Sequence, residues 1–300
     1  MGNFKFFFVF LSACVLLAAT LSPWIYLGVQ WSADFWKWSW LEYLAKHPFH
    51  RYFHRVLQVG ILVGIWPLLK RSGIHSLKDI GLEGRGFFRI FWVGFGSSLI
   101  FMGVYSGILW KAGLIAGVGS PVFGDLILKF FKIMATCLIV GILEEVFFRG
   151  YFYKLSRQSM GVRTAVGMNM VFFACVHYLK SGGTGFEVVD GSSGFQMMGV
   201  SLQRFLMPMD IMGGICVLMT VAWILCWTVE WTGNLGLAIG LHAGWVFVLQ
   251  WISELTHDSA GVPAWLLGGG SLRDGVLTLV PLILQFLVLR WLLEKRKMEG

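Results

Sequence analysis

Glu144, Glu145 and Arg149 lie inside one long apolar run, and His177 and His242 lie inside two others. An ionisable side chain in hydrocarbon costs several kcal/mol and by default marks function, so these five residues define the chemistry to consider. The other five of the seven histidines (His47, His50, His54, His75 and His257) fall in or beside loops, and Glu144 with Glu145 is the only acidic pair well inside a helix. Arg149 stands four residues after Glu145, on the same helix face, and can pair with it. Glu144 is turned about 100° from that pair. A carboxylate and an imidazole in a dry pocket can exchange a proton near neutral pH, which suits activation of a water. A second imidazole opposite could donate to the oxyanion formed when that water attacks a peptide carbonyl. Water-mediated peptide hydrolysis within the membrane is the chemistry this set favours.

Spacing tests whether the groups can meet. The turn after the run that carries Glu144 is centred near Met160 and Gly161; Glu144 lies 17 residues before Gly161 and His177 lies 16 after it. In an antiparallel hairpin with a rise of about 1.5 Å per residue, the two reach nearly equal depth. His242 follows Asn234 by eight residues on a later helix, and this argument does not fix its depth.

The elements that must position these groups are membrane spans. Of 300 residues, 57% are hydrophobic and only 13% charged, against about 25% charged in a soluble domain. With 26 Phe, 15 Trp and a mean hydropathy of +0.72, a disordered chain is excluded and a soluble globule disfavoured. Apolar runs of the length a bilayer requires are read at Phe6 to Trp31, Tyr52 to Leu69, Phe87 to Trp110, Phe123 to Leu155, Thr164 to Leu179, Ile211 to Thr228, Leu235 to Ser253 and Val276 to Leu289. The second has only Val56 to Leu69 strictly uncharged, a length that would also suit an interfacial helix. The expected fold is all-α: one polytopic transmembrane helical bundle of about eight helices over residues 1–300, without internal repeats.

An even number of spans puts both termini on one side. The larger share of Lys and Arg, including Lys70, Arg71, Lys154, Arg157 and the run Arg290 to Lys297, lies on that side, which predicts cytoplasmic termini in a multi-pass protein of the cell (plasma) membrane. The net charge of +8 is accounted for by this bias and by anionic headgroups, so no nucleic-acid partner is expected. The five Cys are odd in number, sit in apolar runs and show no CxxC spacing, which signals neither a disulfide framework nor a zinc site.

The run Glu144-Glu145-Val146-Phe147-Phe148-Arg149 resembles the Glu-Glu-x-x-x-Arg motif of the CPBP family, the CAAX proteases and bacteriocin-processing enzymes, which are glutamic intramembrane proteases. Phe173 to His177 resembles that family's Phe-x-x-x-His motif, and Thr232 to Trp245, carrying His242, resembles the approach to its His-x-x-x-Asn or Asp motif. Three motifs in order on three helices are specific together, whereas Phe-x-x-x-His alone arises easily in a Phe-rich chain. The resemblance covers residues 123–253 as a catalytic core and agrees with an eight-helix fold. It implies Glu144 as the base that activates water, His177 as its partner in holding that water, and His242 at the oxyanion. Glu145, Arg149 and Phe173 would support the site. It also implies a lipid-modified or membrane-associated protein or peptide as substrate, with no metal and no other cofactor. One position departs: Val246 stands where the third motif has Asn or Asp, which removes a hydrogen-bond donor. Asn169, on the helix of His177, is a possible substitute.

Rival readings remain on the residues alone. Two His and a carboxylate could ligate a metal, but His-Glu-x-x-His spacing is missing. A proton-coupled transporter would keep Glu and His at mid-depth, yet no broken-helix pair or duplicated half is visible. A catalytically silent membrane scaffold would be consistent with Val246. The Gly-rich segment Ser181 to Met209 is read either as a mobile cover over the site or as a plain loop.

Overall fold

Runs this apolar leave the backbone no polar solvent, so each satisfies its N–H and C=O groups internally, as a helix. A computed structural model describes all residues except 1, 85, 120–122, 179–185, 187, 204, 206–207, 260, 269–271, 273 and 299–300. In chain order it contains α1 (Gly2–Trp36), α2 (Ser39–Ala45), α3 (Phe49–Arg71), α4 (Leu77–Ile80), α5 (Phe87–Lys111), β1 (Ile115–Gly117) and α6 (Phe123–Glu145). A π-helical segment (Val146–Tyr153) leads into α7 (Lys154–Met160), α8 (Val162–Tyr178), α9 (Ser193–Gln203), α10 (Pro208–Thr232) and α11 (Gly236–Leu255). Then follow β2 (Thr256–Asp258), α12 (Ala264–Leu267), a 3-10 turn (Val276–Thr278) and α13 (Leu279–Met298).

Seven helices among the described residues are long and apolar enough to cross a membrane, including Phe49–Arg71, the span whose short uncharged part would also have suited an interfacial helix. With α8, 17 residues long, they make up the expected set of about eight. Outward faces are apolar, with Phe88 76% and Leu128 72% exposed, the inverse of a water-soluble surface. The protein is an integral, nearly all-helical membrane protein. Of the segment Ser181 to Met209, read as a cover or a plain loop, residues 181–185, 187, 204 and 206–207 lie outside the described residues, and Ser193–Gln203 forms the helix α9.

Two compact units form: Met1–Ile74 with Cys175–Pro208, and His75–Ala174 with Met209–Gly300. In the first unit α1 and α3 run antiparallel, Gly60 facing Cys14 and Tyr26 packing on Phe49 and Tyr52. Met197 of α9 is buried with Ala18, Ala19, Phe49 and Phe53. Gly194 presses on the Ala19 carbonyl with no space for a Cβ.

In the second unit α11 is the central helix, and a row of small residues sets its place. A Cβ on Gly236 would lie 2.7 Å from the Phe87 carbonyl, one on Gly240 would collide with the Phe91 carbonyl, and one on Gly244 would lie 2.9 Å from the Phe95 carbonyl. This is the small-xxx-small contact that lets membrane helices approach backbone to backbone. The matching order along both helices makes α5 and α11 parallel, as the third and seventh spans of an alternating path must be. Beyond their ends β1 and β2 pair antiparallel, Ile115 with Asp258 and Gly117 with Thr256. On its other side α11 meets α6 antiparallel, with Gly141 against Ala243 and Lys129 paired with Glu254 at 2.6 Å.

The fourth span differs from the uninterrupted helix expected to Leu155: it widens into a π-helical segment directly after Glu145. Five of the eight residues in that segment are Phe or Tyr, all five are buried, and Gly150 is pressed on Ile80 of α4. The wider turn gives these crowded rings room, and π-helical turns inside α-helices recur at functional sites. The reversal falls where the spacing predicts, at Gly161 with φ +80°.

Candidate functional site

The site is built where α6 gives way to the π segment, opposite the second turn of α11. Leaving α10, Thr232 Oγ1 donates to the Asn234 carbonyl at 2.9 Å, and Asn234 Oδ1 accepts from the Gly236 N–H at 2.8 Å, starting α11 in a fixed direction. His242 then lies six residues beyond Gly236, about 9 Å along the helix. The glycine row holds that stretch of α11 to α5, and Gly141 against Ala243 holds it to α6.

Glu145 is the hub of the site. Its Oε1 accepts from Arg149 Nη1 at 2.8 Å and from His242 Nδ1 at 2.7 Å, and the Glu145 and Arg149 side chains are fully buried. The pairing of Glu145 with Arg149 expected from their spacing is thus present. His242 Nε2 faces Glu144 Oε2 at 3.9 Å, too far for a direct hydrogen bond and a gap in which a water is the natural bridge. The Glu144 side chain is 18% exposed where that of Glu145 is 0%, although its Oε2, the atom facing His242, is itself buried.

Aromatic residues close the back of the cluster. The Arg149 guanidinium lies 4.5 Å over the Phe173 ring, and Phe173 meets His242 edge-on at 6.2 Å. Phe173 also packs on Phe148 at 4.8 Å, and Phe152 on Phe172 at 4.5 Å. These contacts give the hairpin of π segment and α8 the register that its turn at Gly161 implies. Among the described residues, Glu145 Oε2 and Arg149 Nε and Nη2 have no hydrogen-bond partner.

Glu144, Glu145, Arg149, Phe173 and His242 are therefore brought together. His177 lies one turn beyond Phe173 on α8, in the part that belongs to the first unit. Asn169 Nδ2 donates to the Phe148 carbonyl at 2.9 Å, which uses one of its two N–H groups to hold the hairpin. Val246, one turn after His242, packs against the apolar core of the second unit.

Two features escape a reading of the chain alone. The second role of Glu145, holding His242, depends on how α6 meets α11 across 97 residues of sequence, and no short turn fixes that register. A buried polar network also braces α11: Trp245 Nε1 donates to Gln285 Oε1 at 2.7 Å, Gln285 Nε2 donates to Ser97 and Ser98, and Ser98 Oγ donates to the Leu241 carbonyl at 3.1 Å. Gln285, the single amide in the run Val276 to Leu289, was the available signal. Where α10 gives way to α11, a cavity of about 290 Å³ has Arg149, Lys154, Arg157, Glu230 and Asn234 in its lining, Arg157 pairing with Glu230 at 2.6 Å.

No curated protein and no solved structure matches the chain significantly. Residues 126–248 match the family described as Rce1-like, type II CAAX prenyl endopeptidase. All six residues singled out by the three motifs, from Glu144 to His242, fall inside that segment. Over that segment the chain is similar to the Rce1-like type of the CPBP family.

Proposed function

We propose that the protein is an intramembrane endopeptidase of the glutamic type, which hydrolyses a peptide bond of a lipid-modified or membrane-associated protein or peptide without metal or other cofactor. The observation that carries the reading is the placement of one imidazole between two carboxylates, 2.7 Å from Glu145 and 3.9 Å from Glu144.

Glu145 and Arg149 neutralise each other. With Nδ1 held by Glu145, the other ring nitrogen of His242, Nε2, is turned toward Glu144 and is the one placed to donate to the substrate. Glu144 holds a water and takes one of its protons as the oxygen attacks the scissile carbonyl carbon, with His177 in the partner role that the family resemblance implies. The carbonyl oxygen becomes an oxyanion that accepts from His242 Nε2–H. Collapse of the tetrahedral species breaks the C–N bond, and Glu144 returns its proton to the leaving amine. Glu145 fixes the ring of His242 in one orientation, as the third member of a triad does.

The test uses purified full-length protein and a panel of C-terminal CAAX peptides with and without a prenyl group, with products read by mass spectrometry. Cleavage by the wild type that is lost in Glu144→Gln and in His177→Ala, both still inserted and purified in normal amount, supports the reading. Equal cleavage by the wild type and both variants contradicts it.

A further inference from the structure

The first unit carries a cationic cavity unrelated to the Glu/His cluster. It is bounded by α1, α2 and the start of α3, measures about 470 Å³, and is lined by Ile25, Val29, Leu44 and Val56 on its apolar side and by His47, Arg51, Tyr52 and Arg55 on its polar side. The sequence repeats Phe-His-Arg at 49–51 and 53–55, a spacing of four that stacks Arg51 over Arg55 on one helix face. Arg51 Nη1 meets His47 Nδ1 at 3.2 Å and Arg55 Nη1 donates to Gln58 Oε1 at 2.9 Å, neither of them a carboxylate. No carboxylate lines the cavity, and neither arginine has an ion-pair partner among the described residues. Two like charges one turn apart repel, and an anion between them would relieve that repulsion.

Its depth says which anion. Trp31, Phe35, Trp36, Trp38, Trp40 and Tyr43 are all about half or more exposed, and they occupy the same end of α1 and the following α2. An aromatic group of this kind marks the level of the lipid headgroups. Tyr52, whose hydroxyl donates to the Leu44 carbonyl at 2.7 Å, fastens α2 to α3 beside the cavity.

We infer that this cavity binds an anionic phospholipid, its phosphate between Arg51 and Arg55 and the start of an acyl chain along Ile25, Val29 and Val56. The guanidiniums supply charge-assisted donors in the planar arrangement that suits phosphate oxygens.

The experiment titrates the purified full chain in neutral detergent with phosphatidylglycerol, phosphatidylcholine or inorganic phosphate, and counts retained lipid by native mass spectrometry. Phosphatidylglycerol is expected to be retained over phosphatidylcholine. Arg51→Gln and Arg55→Gln should each weaken retention about fivefold and together about thirtyfold, while Arg51→Lys with Arg55→Lys restores most of it. Lys70→Gln with Arg71→Gln, at the far end of α3, should leave it unchanged. If the double Gln variant does not purify, the single variants carry the test. Equal retention of both lipids, retention unaffected by the Gln variants, or displacement by inorganic phosphate at millimolar concentration would overturn the inference. The outcome is independent of whether the Glu/His cluster is catalytic.

Discussion

Glu145 Oε1 and His242 Nδ1 lie 2.7 Å apart and fully within the protein, although 97 residues of chain separate them. The same oxygen accepts from Arg149, so one carboxylate ties the π segment to α11 and fixes the imidazole edge that faces Glu144. The two adjacent glutamates thus have different surroundings: Glu145 is a buried anchor, while Glu144 is partly open and faces the gap beside His242 Nε2.

Removing Arg149 tests the anchor. Arg149→Ala leaves a buried Glu145 charge without its cation, a loss of about 3 to 5 kcal/mol. The amount of protein recovered from membranes and its melting temperature in detergent should both fall well below those of Glu144→Gln. Arg149→Lys should restore only part of the loss, because the planar contact with the Phe173 ring goes with the guanidinium.

Glu145→Gln keeps the shape but weakens the hold on His242. Turnover is expected to fall about 100- to 10,000-fold, the range that positioned acid and base groups contribute, with KM nearly unchanged. Steady-state kinetics on a cleaved peptide would show it. A change confined to KM would mean Glu145 acts in substrate binding.

The glycine row has a steric prediction. Gly240→Ala places a methyl group into the Phe91 carbonyl, so α5 and α11 must separate, at a cost of about 1 to 3 kcal/mol. Gly107→Ala on α5, where a Cβ meets nothing within 4 Å, is the matched control and should leave the melting temperature unchanged.

Val246 occupies the position where the third motif of the family carries an amide or acid. Val246→Asn should raise turnover by supplying a second oxyanion donor, by up to about 100-fold if the donor is well aimed. An unchanged rate in a normally folded variant would mean that His242 alone serves the oxyanion.

Much of this was legible in the chain. Hydropathy placed the spans, because a bilayer demands helices of nearly fixed length. The turn at Gly161 set the register of its hairpin, since a short turn leaves no slack, and Phe148 does meet Phe173. The π segment was not legible, because its cause is the crowding of buried rings and the approach of α4 at Gly150. Neither was the contact of Glu145 with His242, nor the bracing of α11 by Gln285, since both join helices that no tight turn connects. The Gly-x-x-x-Gly-x-x-x-Gly pattern at 236, 240 and 244 was visible as letters, but which helix it receives is a property of the fold.

The most direct measurement compares the peptide termini of membrane proteins in cells that carry the wild type or Glu144→Gln at matched expression, with a lysate assay run with and without a chelator. A new terminus that appears only with the wild type and survives chelation is the expected result. Identical termini in both strains, or a cleavage that persists with Glu144→Gln, would contradict it.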